Sequence, residues 1–188
     1  CLVLRGALDT ASMDLIASWT DELVAMPEAS GRQWVFHEQS LKDSSKDLIN
    51  RIEKISPFHA GFEELSRVLK HSVGQLIGEE AVLFKEKINF KMPGGDGFKP
   101  HQDSQAGWDT YANFFVSVLV CIDEATAENG CLQIAAGHHR NGLFTSWEPL
   151  SDADMQDMSF VDCPTMPGDI IFFDCFAPHR SDPNMSDK

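Results

Sequence analysis

At 188 residues, 43% hydrophobic and 23% charged, the chain has the length and composition of one ordinary globular domain with a sizeable core. Its formal net charge of −14 excludes the concentrated Lys and Arg surface that nucleic acid requires, while leaving room for a local basic pocket that takes a small anion. The cysteines, Cys1, Cys121, Cys131, Cys163 and Cys175, are odd in number, widely spaced and without a C-x-x-C, which predicts reduced thiols in a cytoplasmic protein and neither a disulfide framework nor a zinc ribbon. No apolar run approaches the length needed to cross a bilayer, so no membrane partner is expected. The first residue is Cys1, and the chain ends on Met185-Ser186-Asp187-Lys188; a piece of a longer protein, cut at both ends, is the expectation.

In chain order, Leu15, Ile16, Trp19, Leu23 and Val24 recur at helical spacing and predict a helix over 9–26. Ser44 or Ser45 caps a second predicted helix holding Leu48, Ile49, Ile52 and Ile55. Ser56-Pro57 reads as the N-cap and first turn of a longer helix through Phe62, Leu65, Val68, Leu69, Val73 and Leu76, closed at Gly78. After Gly78 the period falls to two. Residues 81–91 read as a strand with Phe84, Glu86, Ile88 and Phe90 on one face and Lys85, Lys87, Asn89 and Lys91 on the other. A Pro93-Gly94-Gly95-Asp96-Gly97 loop follows, and His101 begins the next segment. Further strands are predicted over 114–122, 132–135, 160–163, 169–174 and 177–181, separated by Pro-Gly and Ala-Pro turns. The expected fold is therefore one mainly β domain over 1–188: a helical buttress over 1–78 and an antiparallel sandwich or barrel over 79–188.

Seven histidines are spread along this pattern. His71 lies on an exposed helix face, His37 and His59 fall in the helical part, and His138-His139 occupy a Gly-rich turn where neighbouring side chains diverge; structural roles suit all of these. His101-Gln102-Asp103 is different. On extended backbone, positions two apart face the same way, so an imidazole and a carboxylate stand side by side. His179, at the end of a later strand, can supply a third donor. Two histidines and one carboxylate leave three open positions, the preference of ferrous ion in oxygenases, whereas zinc favours a tetrahedral set with one. The bare H-x-D pattern recurs by chance; its position after a Gly-rich loop and before an apolar strand gives it weight.

The motifs taken together resemble the phytanoyl-CoA dioxygenase family. They are Pro100-His101-Gln102-Asp103, Glu128-Asn129-Gly130-Cys131-Leu132, Ala136-Gly137-His138-His139, Pro167-Gly168-Asp169 and His179-Arg180-Ser181 followed by Asn184. The resemblance covers 82–188. It implies a double-stranded β-helix, a cupin-like jelly roll, with Fe(II), 2-oxoglutarate and O2 as cofactors and a small molecule hydroxylated at a C–H bond. It carries the iron ligands onto His101, Asp103 and His179, and 2-oxoglutarate contacts onto Ser181 and Lys87. Leu119 stands where some relatives place a tryptophan beside the co-substrate. Asp103 occupies the position that related halogenases replace with a small residue, so hydroxylation is the expected outcome. The family's arginine for the far carboxylate of 2-oxoglutarate is expected shortly after Lys188; Arg180, adjacent to His179, should face away.

Within the family the likeness is greatest to the dioxygenases of aminoalkylphosphonates, on Phe84-Lys85-Glu86-Lys87-Ile88-Asn89-Phe90-Lys91 and on His101 through Trp108. This implies hydroxylation of the carbon next to phosphorus. Asn89, Gln105, Trp108 and Asn184 become candidate substrate contacts, with an aromatic face for an ammonium group. Solvent exposure of Asn89, core packing of Trp108 and a turn hydrogen bond for Asn184 are the competing readings. Another small substrate (a betaine, an amino acid, a natural-product intermediate), an acyl-CoA, and a non-catalytic cupin-like binding module remain as alternatives. Residues 143–158, acidic and Trp-containing, are a candidate lid.

Overall fold

The computed structural model describes residues 1–188 and is mainly β, with ten strands and two α-helices. Two compact units form: 8–95, and 96–188 together with 1–7. No helix is long and apolar enough to cross a membrane.

In the unit over 8–95, helix α1 (Thr10–Ala25) is capped by Asp9, whose carboxylate accepts the Ser12 N–H at 2.9 Å, and it buries Met13, Ile16 and Leu23 along one stripe. Strands β2 (Trp34–Gln39), β3 (Asp47–Glu53) and β4 (Lys87–Asn89) form an antiparallel sheet in the order β2-β3-β4. The helix expected from Ser44 through Ile55 is thus a strand. Leu48, Ile49 and Ile52 satisfy helical spacing on paper, but β3 finds β2 on one edge and β4 on the other, and a bulge at Phe36/His37 absorbs the register. Ser44 and Ser45 sit in the β2–β3 turn, where Asp43 accepts from the Ser45 N–H and hydroxyl. The first 78 residues are not a purely helical buttress.

Ser56-Pro57 opens only a 3-10 turn (Ser56–Phe58); helix α2 (Ala60–Ile77) starts later, with His59 Nδ1 accepting the Phe62 N–H. It ends, as expected, at Gly78 in the left-handed conformation. Trp19 of α1 packs on His59 and Phe62 at 5.7 and 5.8 Å and lies over Gly61, where any side chain would collide with the indole. The strand expected over 81–91 shrinks to β4, the three residues that pair with Arg51–Glu53 of β3.

The other unit holds two sheets. Strands β1 (Leu2–Leu4), β9 (Ile170–Asp174) and β6 (Val116–Val120) form one in the order β1-β9-β6. Strands β5 (Phe98–His101), β10 (His179–Ser181), β7 (Leu132–Ala135) and β8 (Phe160–Asp162) form the other, in the order β5-β10-β7-β8. All pairings are antiparallel. Ile171 and Phe173 from the first sheet meet Ile134 from the second in a core completed by Cys121, Ala177, Val3, Leu119, Leu132 and Cys163. This is the expected double-stranded β-helix. The central strand β9 is buried along Ile170–Phe173 on both faces, which explains its unbroken apolar sequence. Three of the five cysteines are buried, Cys1 is exposed, and all five are free thiols. Burial pushes the thiols of Cys121, Cys131, Cys163 and Cys175 up from their ordinary range, so they stay protonated.

Candidate metal centre

His101 ends β5 and His179 begins β10, and the two are direct cross-strand partners with ring centroids 4.1 Å apart. Gln102 continues extended (φ −116°, ψ 139°), and Asp103 opens a 3-10 turn over Asp103–Ala106. The alternation expected for His101 and Asp103 therefore works through one extended residue; the strand itself ends at His101, where the sequence led us to expect a segment to begin. The carboxylate oxygen Oδ1 of Asp103 lies 4.0 Å from His101 Nε2 and 3.9 Å from His179 Nε2. These three residues form a group able to share one metal ion.

The protonation of both rings follows from their other contacts. His101 Nδ1 lies 2.7 Å from the Lys99 carbonyl and His179 Nδ1 lies 2.9 Å from the Ala177 carbonyl. A carbonyl oxygen only accepts, so each Nδ1 is a donor and each Nε2, on the side of Asp103, is the nitrogen left to ligate a metal. That is how a metal-ligating imidazole is held. The Phe173 ring meets His179 edge-on at 5.0 Å, and His179 is buried. Two imidazole nitrogens and one carboxylate oxygen converging on one spot fit a divalent first-row ion such as ferrous iron.

Residues that the sequence did not single out hold this cluster. Gln102 is fully buried; its amide donates to the Gly142 carbonyl at 2.8 Å and to the Phe176 carbonyl at 2.7 Å, and its Oε1 accepts the Phe144 N–H at 2.8 Å. The Ser104 N–H reaches the Cys175 carbonyl at 3.2 Å. Both neighbours of Asp103 are thereby fastened to the β9–β10 turn that delivers His179. The hydroxyl of Ser117, on β6, donates to Asp103 Oδ2. A signal for Gln102 existed in the sequence: if 101 and 103 face a metal, 102 faces the opposite way, into the core. Gly97 is needed where β5 begins, because a Cβ there would come within 2.3 Å of the Ser181 carbonyl.

The remaining candidates divide between the units. Ser181 lies on β10, two residues past His179, with its hydroxyl accepting the Phe98 N–H at 3.2 Å. Leu119 lies on β6 two residues past Ser117, hence on the same strand face, against the core cluster. Gln105 sits in the 3-10 turn after Asp103, its Oε1 accepting the Gln102 N–H, and Trp108 packs edge-on against Phe115 at 5.1 Å. Asn184 is buried, with its amide donating to the Lys188 carbonyl and its Oδ1 accepting from Ser186; the turn reading describes these bonds. Lys87 and Asn89 belong to the other unit, on the exposed face of β4, flanking buried Ile88. Arg180 turns away as expected, bonding Gln133 at 2.6 Å and lying 4.4 Å over the Phe160 ring.

His71 is exposed on α2, where expected, and His138-His139 open a 3-10 turn. His37 lies on β2, an exposed strand, not on a helix. The candidate lid is fastened in its first half: besides Phe144, the Trp147 N–H donates to the Gln105 carbonyl and the Leu150 N–H to the Pro100 carbonyl, and Leu150 is buried. Trp147 itself is exposed and adopts φ 65°, unusual for a bulky residue.

Comparison with known proteins agrees with this geometry. The family model described as phytanoyl-CoA dioxygenase (PhyH) matches residues 1–188. A 2-aminoethylphosphonate dioxygenase from uncultured bacterium HF130_AEPn_1 is 35% identical over 190 residues, covering 98% of this chain and 72% of the relative. A methylphosphonate hydroxylase from Gimesia maris is 35% identical over 181 residues, covering 94% and 68%. The crystal structure of EctD from S. alaskensis with 2-oxoglutarate and 5-hydroxyectoine superposes with a TM-score of 0.80 at 21% identity, over 99% of this chain and 67% of that one. The chain belongs to the phytanoyl-CoA dioxygenase family and is a non-haem iron, 2-oxoglutarate-dependent dioxygenase.

Proposed function

We propose that His101, Asp103 and His179 bind Fe(II), and that with 2-oxoglutarate and O2 the enzyme hydroxylates the carbon next to phosphorus in an aminoalkylphosphonate. The observation that carries the metal assignment is the pair of imidazoles whose Nδ1 protons are taken by the Lys99 and Ala177 carbonyls, leaving both Nε2 atoms beside one carboxylate oxygen. Bound iron and the keto acid supply the oxidising power; the protein's part is to place the substrate carbon and keep water out. Ser181 offers a hydroxyl one strand pleat from His179 and is proposed to contact 2-oxoglutarate, with Leu119 forming an apolar wall. Gln105 and Trp108, directly after Asp103, are the proposed substrate contacts, the indole for an ammonium group.

The substrate class is supported by two relatives at 35% identity that both act, by name, on phosphonates. A turnover screen with Fe(II), 2-oxoglutarate and 2-aminoethylphosphonate, its trimethyl form, methylphosphonate and a betaine tests it, read by succinate release and phosphorus NMR. The expected result is a new hydroxyalkylphosphonate resonance matched by succinate. Succinate formed only with the betaine would refute the phosphonate reading and keep the reaction class. His179→Ala is expected to lose metal and to lower turnover more than about a hundredfold; a variant with wild-type activity ends the ligand assignment.

A further inference from the structure

We propose that Ser117 is a positioning residue that dictates how Asp103 meets the metal: its hydroxyl takes one carboxylate oxygen, so that only the other faces the two imidazoles. The inference rests on the metal assignment above. The two oxygens of Asp103 have separate fates in the structure. Oδ1 stands 4.0 and 3.9 Å from the two Nε2 atoms, while Oδ2 is turned to Ser117 Oγ. An ionised carboxylate only accepts, so the serine is the donor and the direction of the bond is fixed.

Ser117 is well placed to hold that oxygen. It lies on β6, in the sheet β1-β9-β6, whereas His101 and His179 lie on β5 and β10 of the other sheet. The bond therefore ties β6 of one sheet to the turn that follows β5 of the other. The partner of Ser117 in the ladder is Phe173 on the buried central strand β9, whose ring in turn packs on His179, so the serine backbone has little freedom to move. Ser117 is also the single hydroxyl in the apolar run Phe114-Phe115-Val116-Ser117-Val118-Leu119-Val120-Cys121-Ile122. A half-buried hydroxyl inside such a strand is unfavourable unless a partner answers it, and the partner it has is a metal-site carboxylate.

The chemical consequence is a count of positions. A carboxylate that binds through both oxygens occupies one more coordination position than one that binds through a single oxygen. With Oδ2 kept by Ser117, Asp103 contributes one donor, and the set leaves room for a two-donor keto acid and oxygen together. Without the hydroxyl, the carboxylate is free to rotate about its Cβ–Cγ bond and present both oxygens.

Co(II) titration of the purified protein, followed by visible absorption, tests this without any turnover. Wild type is expected to bind one Co(II). Ser117→Ala is expected to bind it about tenfold more weakly, with an altered visible spectrum, and to take up 2-oxoglutarate less tightly in the Co(II) form. Ser117→Thr, which keeps the hydroxyl, should restore affinity and spectrum. A folded Ser117→Ala protein with wild-type affinity and an unchanged spectrum overturns the proposal. Should that variant not fold, Ser117→Cys takes its place: weakened binding supports the role of the hydroxyl, and wild-type binding removes it. If wild type itself binds no Co(II), the metal assignment falls first and this inference with it.

Discussion

The two units of the chain treat buried polar groups differently. In the unit that carries the metal cluster, Gln102, Ser104, Thr165, Asp169, His179 and Asn184 are all buried. Gln102, Asp169, His179 and Asn184 are each answered by hydrogen bonds from nearby backbone or side chains. In the unit over 8–95 only Gln33 and Ser40 are buried among polar residues, and ion pairs such as those of His37 with Glu28 and Asp47 and of Arg67 with Glu64 lie at the surface. Exposed pairs contribute little, whereas a buried polar group is costly unless fully paired. The rigidity that three converging ligands need is built from the second kind of contact. The comparison predicts that polar substitutions cost far more in one unit than in the other.

Gln102→Leu gives the largest expected effect on stability. It leaves the Gly142 and Phe176 carbonyls and the Phe144 N–H without their present partner, and each orphaned buried group costs about 1–3 kcal/mol. A loss of about 3 kcal/mol or more in urea unfolding is expected. Metal affinity should fall too, because the same amide ties the Asp103 segment to the turn that presents His179. A loss below about 1 kcal/mol would show that these bonds are replaceable, and the contrast between the units would lose its main support.

The same asymmetry governed what the sequence disclosed. The ligands were legible because His101 and Asp103 stand two apart after a Gly-rich loop and His179 follows the apolar strand β9 by a short Ala-Pro turn, and β6, β7, β8 and β9 fall within the segments expected for them. Their supports were not. Gln102 bonds to residues 40 to 74 positions away and Ser117 to one 14 positions away, and nothing local in either residue announces such a partner. In the other unit the local pattern misled. Leu48, Ile49 and Ile52 suit a helix as well as a strand, and only pairing to β2 and β4 decides. β1 and β2 have no clear local signature: Leu2 and Leu4 of β1, and Trp34 and Phe36 of β2, are large apolar residues that stay exposed.

Asp169 extends the contrast to pH. Its carboxylate accepts the Met166 N–H at 3.0 Å, the Gly6 N–H at 2.8 Å and an Arg5 guanidinium hydrogen bond at 2.6 Å, and so joins the β1 end to the turn before β9. These contacts, led by the Met166 and Gly6 amides, hold its pKa down at about 2 from an ordinary 3.8. A depressed carboxylate stabilises the fold above its unfolded value and ceases to do so as pH falls through its folded one. Asp169→Asn is expected to cost about 2 kcal/mol at pH 7. The gap to wild type should close between about pH 4 and pH 2. Urea unfolding of both proteins at pH 7 and at pH 3 measures it; a gap that stays constant would mean that the charge plays no part.

The smallest expected effect carries the opposite sign and lies in the other unit. Gln33 is buried to 3% exposure, and neither its Nε2 nor its Oε1 has a hydrogen-bond partner. An amide in that state has lost its water and gained nothing in return, so replacing it with an apolar side chain of similar shape removes a penalty and breaks no contact. Gln33→Met is expected to stabilise the protein by about 1 kcal/mol in thermal or urea unfolding. Turnover of the same variant makes the result sharper. Stabilisation with unchanged turnover makes the amide a plain defect of the β2 approach. Stabilisation with a raised KM for substrate shows that the amide is kept for a ligand, the exchange of stability for function expected where a polar group is buried unpaired. Destabilisation by more than about 1 kcal/mol would mean that Gln33 is in fact paired, and the two units would then differ in the number of their buried polar groups and not in how well those groups are satisfied.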